Sequence, residues 1–344
     1  AGPGIGAAMT RRDVVITGIG LVSSLGEGPE AHWDALTKGA KPVVDATSFA
    51  PFPVHPLPAI SLDAQIPKKG DQRQMEPWQR LGTYAAGLAI DHAGARGLVA
   101  DMHLVVAAGG GERDIAVDEA MTAALTGATP ETSGALLNEK LATELRPTLF
   151  LAQLSNLLAG NISIVHGVTG SSRTLMGEEE AAADAIRIAA ARLAEGRGEI
   201  ALVGGAFASQ RWDMVLLYAP GGVLWQGDYA PVSARGEAGG LILGGMAAFL
   251  VLETAEHARA RGATALARIG GIASDAAHQR GGGGSAAAAK ALWQGMAAQQ
   301  GGLGVISGMT GVAEARVEEE AFLAGLGSVP VRRSASLLGH GVEA

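Results

Sequence analysis

Two kinds of apolar spacing alternate along the chain, and each predicts its own element. Asp13-Val-Val-Ile-Thr-Gly-Ile-Gly20 is a β-branched run closing on glycines, the pattern of a buried strand that enters a tight loop. Glu30 to Leu36 has helical character, and Ser48 to Pro58 carries Pro51, Pro53, Pro56 and Pro58, whose fixed φ discourages a helix. Trp78 to Ala95 reads as an amphipathic helix and His103 to Ala107 as a short buried strand. Thr122 to Leu158 is mostly helical in pattern, broken at Pro130 and Pro147, and Asn161 to Thr169 reads as a loop leading into a short turn.

The strongest helix signal is Glu178 to Glu195, where three acidic residues open a run with Ala, Ile and Leu at helical spacing. Ile200 to Ala206 reads as a buried strand with a glycine end. Ala238 to Glu253 reads as two strands meeting at Gly244-Gly245. Ala255 to Arg261 is a short charged helix, Ala265 to Ile272 a strand, and Gly281 to Lys290 a flexible glycine run before an alanine helix. Strands alternating with helices predict an α/β fold with a largely parallel central sheet, and no fixed-period repeat is present.

Composition narrows the function classes. The 344 residues exceed one typical domain of ~100–200 residues, and 48% are hydrophobic, enough to bury a sizeable core. Acidic residues outnumber basic ones 34 to 26, and the net charge of −8 argues against nucleic acid as a partner. Apolar stretches fall far short of the ~20 residues needed to span a bilayer, and no secretory signal precedes the first patterned segment. A cytoplasmic location is therefore expected. Residues 1–8, ahead of Met9, are expected to be an expression remnant.

Candidate chemistry is sparse. Gly18-Ile-Gly20 lacks the third glycine of a dinucleotide loop, since position 23 is Ser, so these glycines are read as serving a tight turn. The eight histidines show no metal-ligand spacing, so no metal and no cofactor is expected. Among them His340, in Leu337-Leu-Gly-His-Gly341, is singled out. Acidic side chains in Glu178-Glu179-Glu180 favour the helix dipole by ~0.3–1 kcal/mol each. The alternative is a carboxylate held at a positive helix end facing a pocket, which would lower its pKa and make it a poor general base. The chain has no cysteine, which removes disulfides, thiolate metal sites and thiol nucleophiles together.

Arg11-Arg-Asp-Val-Val-Ile-Thr-Gly-Ile-Gly-Leu-Val-Ser-Ser-Leu-Gly26 is similar to the opening strand and loop of the β-ketoacyl-acyl-carrier-protein synthase family, of thiolase-like fold. Asn161-Ile-Ser-Ile-Val-His-Gly-Val-Thr-Gly170 looks like that family's stretch before the nucleophile. Ile200 to Ala206 resembles the strand after the nucleophile helix, and Gly239 to Glu256 with Ala258 to Gly262 the strand pair and helix behind it. The resemblance implies a layered α-β-α-β-α arrangement of two related halves, residues 9–254 and 255–344, the second shortened at its end.

The family uses a Cys nucleophile at a helix N-terminus, two histidines and a lysine. Counted back without gaps from Gly204-Gly205-Ala206, the nucleophile position falls on Glu179. The first histidine position falls on Gly308, in Gly308-Met309-Thr310, and the lysine position on Ala335. Only the second histidine, His340, is retained. The resemblance thus implies a non-condensing, chain-length-factor-like partner subunit of fatty-acid or polyketide synthesis, or a malonyl-carrier-protein decarboxylase using Glu179 and His340, or a passive acyl-chain or carrier-protein binder. Expected partners are an acyl carrier protein, with Lys68, Lys69 and Arg73 as candidate docking residues that a solvated surface loop explains equally well, and a homodimeric copy or a Cys-bearing ketosynthase.

Overall fold

The computed structural model describes residues 11–145, 151, 153–275, 284–296 and 303–344. Residues 1–8, Pro147 and the start of the glycine run at 281–283 lie outside the described residues. Among the described residues eleven strands follow in chain order. They are β1 (Val14–Ser23), β2 (Gly26–Glu27), β3 (Val54–His55), β4 (His103–Ala107), β5 (Ser172–Leu175), β6 (Ile200–Phe207), β7 (Leu243–Gly244), β8 (Met246–Thr254), β9 (Ala267–Arg268), β10 (Val305–Ser307) and β11 (Val331–Arg333).

The main sheet has the order β2-β1-β8-β6-β4-β5, with β9 added along β1. Its direction is mixed: β4 pairs parallel with β5 and β6, whereas β8 runs antiparallel to both β1 and β6. The expectation of a largely parallel sheet is therefore corrected. A continuous apolar run reports burial on both faces and carries no sign for strand direction. Alternation sends Leu104, Val106, Leu202, Phe249 and Val251 to one face and Val105, Ala201, Val203 and Leu252 to the other.

The first face is covered by the helix Pro77–His92, capped by Glu76 and Gln79. Most of its residues are buried, from Trp78 through Ile90, so it is a core helix rather than an amphipathic one. It lies directly on β1. A Cβ at Gly20 would stand 2.0 Å from the Ala85 carbonyl oxygen, and one at Gly18 2.4 Å from that of Ala89. These glycines therefore serve backbone contact in mid-strand, not the expected tight turn, and β1 continues to Ser23.

Beside it lies a second helix, Leu157–His166, which corrects the loop expected over Asn161 to Thr169. Gly160, Asn161 and β-branched Ile162, Ile164 and Val165 give weak intrinsic helix propensity. Burial of Leu158 and Ile162 in the shared core, with Gly167 closing the helix in the left-handed region at φ 76°, outweighs it. The helix Ala181–Ala194 packs its alanines and Leu193 on the opposite face. The strand expected over Ala265 to Ile272 is reduced to β9.

Farther along the chain, β10 and β11 form a parallel pair covered by the helix Ala313–Ala324. Phe322 of that helix meets Trp293 of the helix Gly284–Gly295 edge to face. A third small sheet, β3 with β7, brings the proline-rich connector against the segment that carries His340.

Candidate active site

Glu179 sits in the single 3-10 turn Glu178–Glu180 that follows β5 and leads into the helix Ala181–Ala194. The carboxylate is thus at the positive end of a 14-residue helix. His340 comes from the other end of the sequence and is held by its backbone. Its N–H donates to the Ile242 carbonyl at 2.8 Å, and its carbonyl accepts from Gly244 N–H at 2.9 Å, so it extends the β3–β7 pair as a further strand. Gly339 just before it has φ 77° and ψ −170°, and a Cβ there would lie 2.8 Å from the Gly244 backbone. Only glycine turns the chain at that point without collision.

The two side chains meet: His340 Nε2 stands 3.0 Å from Glu179 Oε1. His340 is nearly buried, with 8% of its side chain exposed, while Glu179 is half open at 53%. The hydrogen bond from His340 holds the Glu179 carboxyl below the usual carboxylate range, against the opposing effect of burial.

A cavity of about 210 Å³ opens beside this contact, and Glu179, Gly308, Ala335 and His340 all line it. Four positions spread over 162 residues of sequence thus converge on one space. A Cβ at Gly308 would meet no atom within 4 Å, so an open volume remains there. Ala335 is buried at the start of the short helix Ala335–Leu338.

On its other side Glu179 borders a larger cavity of about 720 Å³, walled by Gly109 to Gly111, Met176, Phe207, Arg211 and Leu217. Nothing in the sequence singled out this region. Arg211 and Asp213 form a buried ion pair at 2.5 Å. Glu112 lies nearby, pushed up to about 7 by burial and by Glu76 and Asp213, against the pull of Arg211 and Arg80. Arg211 and Asp213 are two positions apart, a spacing that gives no periodic signal, and only the fold buries the pair.

Lys68, Lys69 and Arg73 are exposed at the short helix Lys69–Gln74, and Lys69 is paired with Asp63. They lie apart from the residues lining either cavity. Among the described residues no group of His, Asp or Glu is arranged to hold a metal, and no helix is long and apolar enough to cross a membrane.

A mixed sheet flanked by helices brings a helix N-terminus and a glycine-turned histidine to one cavity, the arrangement expected of a thiolase-like protein. Comparison with known proteins narrows the class. Residues 11–258 match the family described as "Beta-ketoacyl synthase, N-terminal domain", and the chain belongs to the β-ketoacyl synthase family. It is 30% identical over 282 residues to 3-oxoacyl-(acyl-carrier-protein) synthase 2 of Vibrio harveyi, covering 78% of this chain and 65% of that one. It is 31% identical over 276 residues to the tetracenomycin polyketide synthase ketoacyl synthase beta subunit of Streptomyces glaucescens, covering 76% and 63%. The chain therefore spans about two thirds of the length of these curated relatives. The ishigamide ketosynthase/chain length factor superposes with a TM-score of 0.76 at 24% identity, over 97% of this chain and 83% of that one. A type II polyketide ketosynthase in complex with its acyl-carrier protein superposes at 0.69, with 18% identity over 97% and 88%. These likenesses place the fold.

Proposed function

We propose that this protein is a non-condensing partner subunit of a ketosynthase, of chain-length-factor type, acting in fatty-acid or polyketide synthesis. The observation that carries this reading is the Glu179–His340 contact at the helix N-terminus. A carboxylate at the nucleophile position cannot form a thioester, and it occupies the imidazole that an enolate would need. Gly308 and Ala335 add neither a second imidazole nor an ammonium. The similarity to a ketoacyl synthase beta subunit agrees with this assignment.

Assembly with a second subunit is supported by the edge of the main sheet. β5 is its terminal strand among the described residues, an edge that ends at exposed Met176, which shares a cavity wall with exposed Leu217. Met176 and Leu217 also wall the 720 Å³ cavity, so a subunit seated there would close it. An acidic carrier protein would dock on Lys68, Lys69 and Arg73. The location would be cytoplasmic, and residues 9–254 and 255–344 would be the two halves of the chain.

The test is co-expression with a Cys-bearing ketosynthase. Expected are a stable mixed complex and condensation activity only in the mixture. Release of CO₂ from malonyl carrier protein by this chain alone, abolished in Glu179→Ala or His340→Ala, would overturn the reading in favour of a decarboxylase.

A further inference from the structure

A second concavity, of about 460 Å³, lies away from both cavities that Glu179 borders and shares no residue with them. It is a trough between the helix Ala181–Ala194 and the strand side of the fold, where β9 and the segment 269–272 run beside the start of β1. Its floor is apolar, with Ala190, Ala191 and Ala194 of the helix opposite Val14, Ile269 and Ile272, while Arg187 from the same helix stands at the rim. Gly270 and Gly271 leave the outer wall without side chains.

Its rim is cationic on a chain whose net charge is −8. Arg11, Arg12, Arg187 and Arg268 line it, against the single carboxylate Asp13. The four differ in freedom. Arg12 is tied to Glu199 at 2.5 Å and to the Gly198 carbonyl at 3.0 Å, so it builds the wall. Arg187 is steered by Asp184 at 2.8 Å but keeps its terminal nitrogens available, since that bond uses Nε. Arg268 has only a loose 3.6 Å approach to Asp13, and Arg11 makes no hydrogen bond or ion pair among the described residues. Arg187 from the helix and Arg11 and Arg268 from the strand side line one apolar trough, and the guanidinium fork is the side-chain group that recognises phosphate oxygens in bidentate fashion. The volume falls within the ~300–1,000 Å³ of small-molecule sites.

We propose that this trough binds a phosphorylated small molecule with a flat or apolar body. The phosphate is held by Arg11, Arg187 and Arg268, and the body lies on Ala190, Ala191, Ala194 and Ile269. This site is independent of the ketosynthase-partner reading, because neither Glu179 nor His340 contributes to it.

The test is isothermal titration calorimetry of the full chain with two probes, AMP and inorganic phosphate, at low and physiological salt. AMP is expected to bind saturably at one site, at least tenfold more tightly than phosphate, with affinity falling as salt rises. Arg187→Gln and Arg268→Gln are each expected to weaken AMP by about tenfold, the loss of one charge-assisted bond pair. Ala191→Leu fills the floor and is expected to reduce AMP to the affinity of phosphate while leaving phosphate unchanged. Arg268 is exposed on β9, so its variant keeps the test readable if an Arg187 variant folds poorly. Absence of saturable binding by either probe, or unchanged AMP affinity in both arginine variants, would overturn the proposal. Tighter binding of an oligoglutamate peptide than of AMP would overturn it in favour of an acidic protein surface.

Discussion

The chain carries no cysteine, so Glu179→Cys creates a protein with a single thiol at the end of the helix Ala181–Ala194. The new side chain is two bonds shorter than glutamate. Its sulfur therefore feels the His340 imidazole as a nearby polar group rather than at the 3.0 Å contact distance of the native carboxylate. An unperturbed thiol has a pKa of about 8.5, and a helix N-terminus beside an imidazole brings it to about 7.5 or below. At pH 7 the thiolate fraction then rises from about 3% to about 24%, about eightfold. Lower basicity also lowers intrinsic nucleophilicity, by about threefold per pK unit, so the net acceleration is about threefold. The assay is alkylation by iodoacetamide followed by intact mass, with N-acetylcysteine as reference and the rate measured from pH 5 to 10. The expected midpoint is about 7.5, moving upward when His340→Ala is added. A midpoint at or above about 8.5 that ignores His340→Ala would refute the placement of residue 179 at a positive helix end beside the histidine.

Four further outcomes follow from the same structure. Gly20→Ala forces a Cβ to within 2.0 Å of the Ala85 carbonyl oxygen, so a loss of about 3 kcal/mol is expected in urea unfolding. Gly308→Ala, in open space, should change stability by less than ~0.5 kcal/mol. Glu112 has its carboxyl raised from 4.5 to about 7, so the folded state holds its proton longer than the unfolded one, and stability falls as pH rises between those values. Glu112→Gln is therefore expected to stabilise the protein by about 2–3 kcal/mol at pH 8 and by nothing at pH 4, read from denaturation midpoints at the two pH values. Glu253 is fully buried; its desolvation is outweighed by Arg261, Thr17 and His257, which hold its carboxyl below the ordinary range. Its stabilising effect is present above the unfolded carboxylate pKa and is lost as pH falls through the folded one. Glu253→Ala leaves Arg261 without its carboxylate and should cost about 3–5 kcal/mol.

The sequence made the main elements of the sheet legible where strands are largely apolar, as in β1 and β6, and where acidic residues mark a helix start, as at Glu178. It misled where tertiary contact overrides local preference. Gly18 and Gly20 resemble turn residues until the Pro77–His92 helix is laid against them. The helix Leu157–His166 has poor propensity and exists because its apolar side is buried. The direction of β8 is set by its neighbours and leaves no trace in its own composition. Residues 179, 308, 335 and 340, which line one cavity, were singled out through family resemblance, since they share no local pattern. The Arg211–Asp213 pair and Glu112 could not be found in this way, because their signal is burial, and burial of charged groups is invisible in a string of residues.

The turn at Gly339 has a wider consequence. The backbone of His340 is positioned by main-chain bonds to Ile242 and Gly244 and by a glycine that admits no other residue, while only its ring meets Glu179. The scaffold of this pocket and its reactivity are thus encoded by separate residues. Such a pocket can change its reacting groups one at a time while the fold persists, and the open volume at Gly308 leaves the same route passable in reverse.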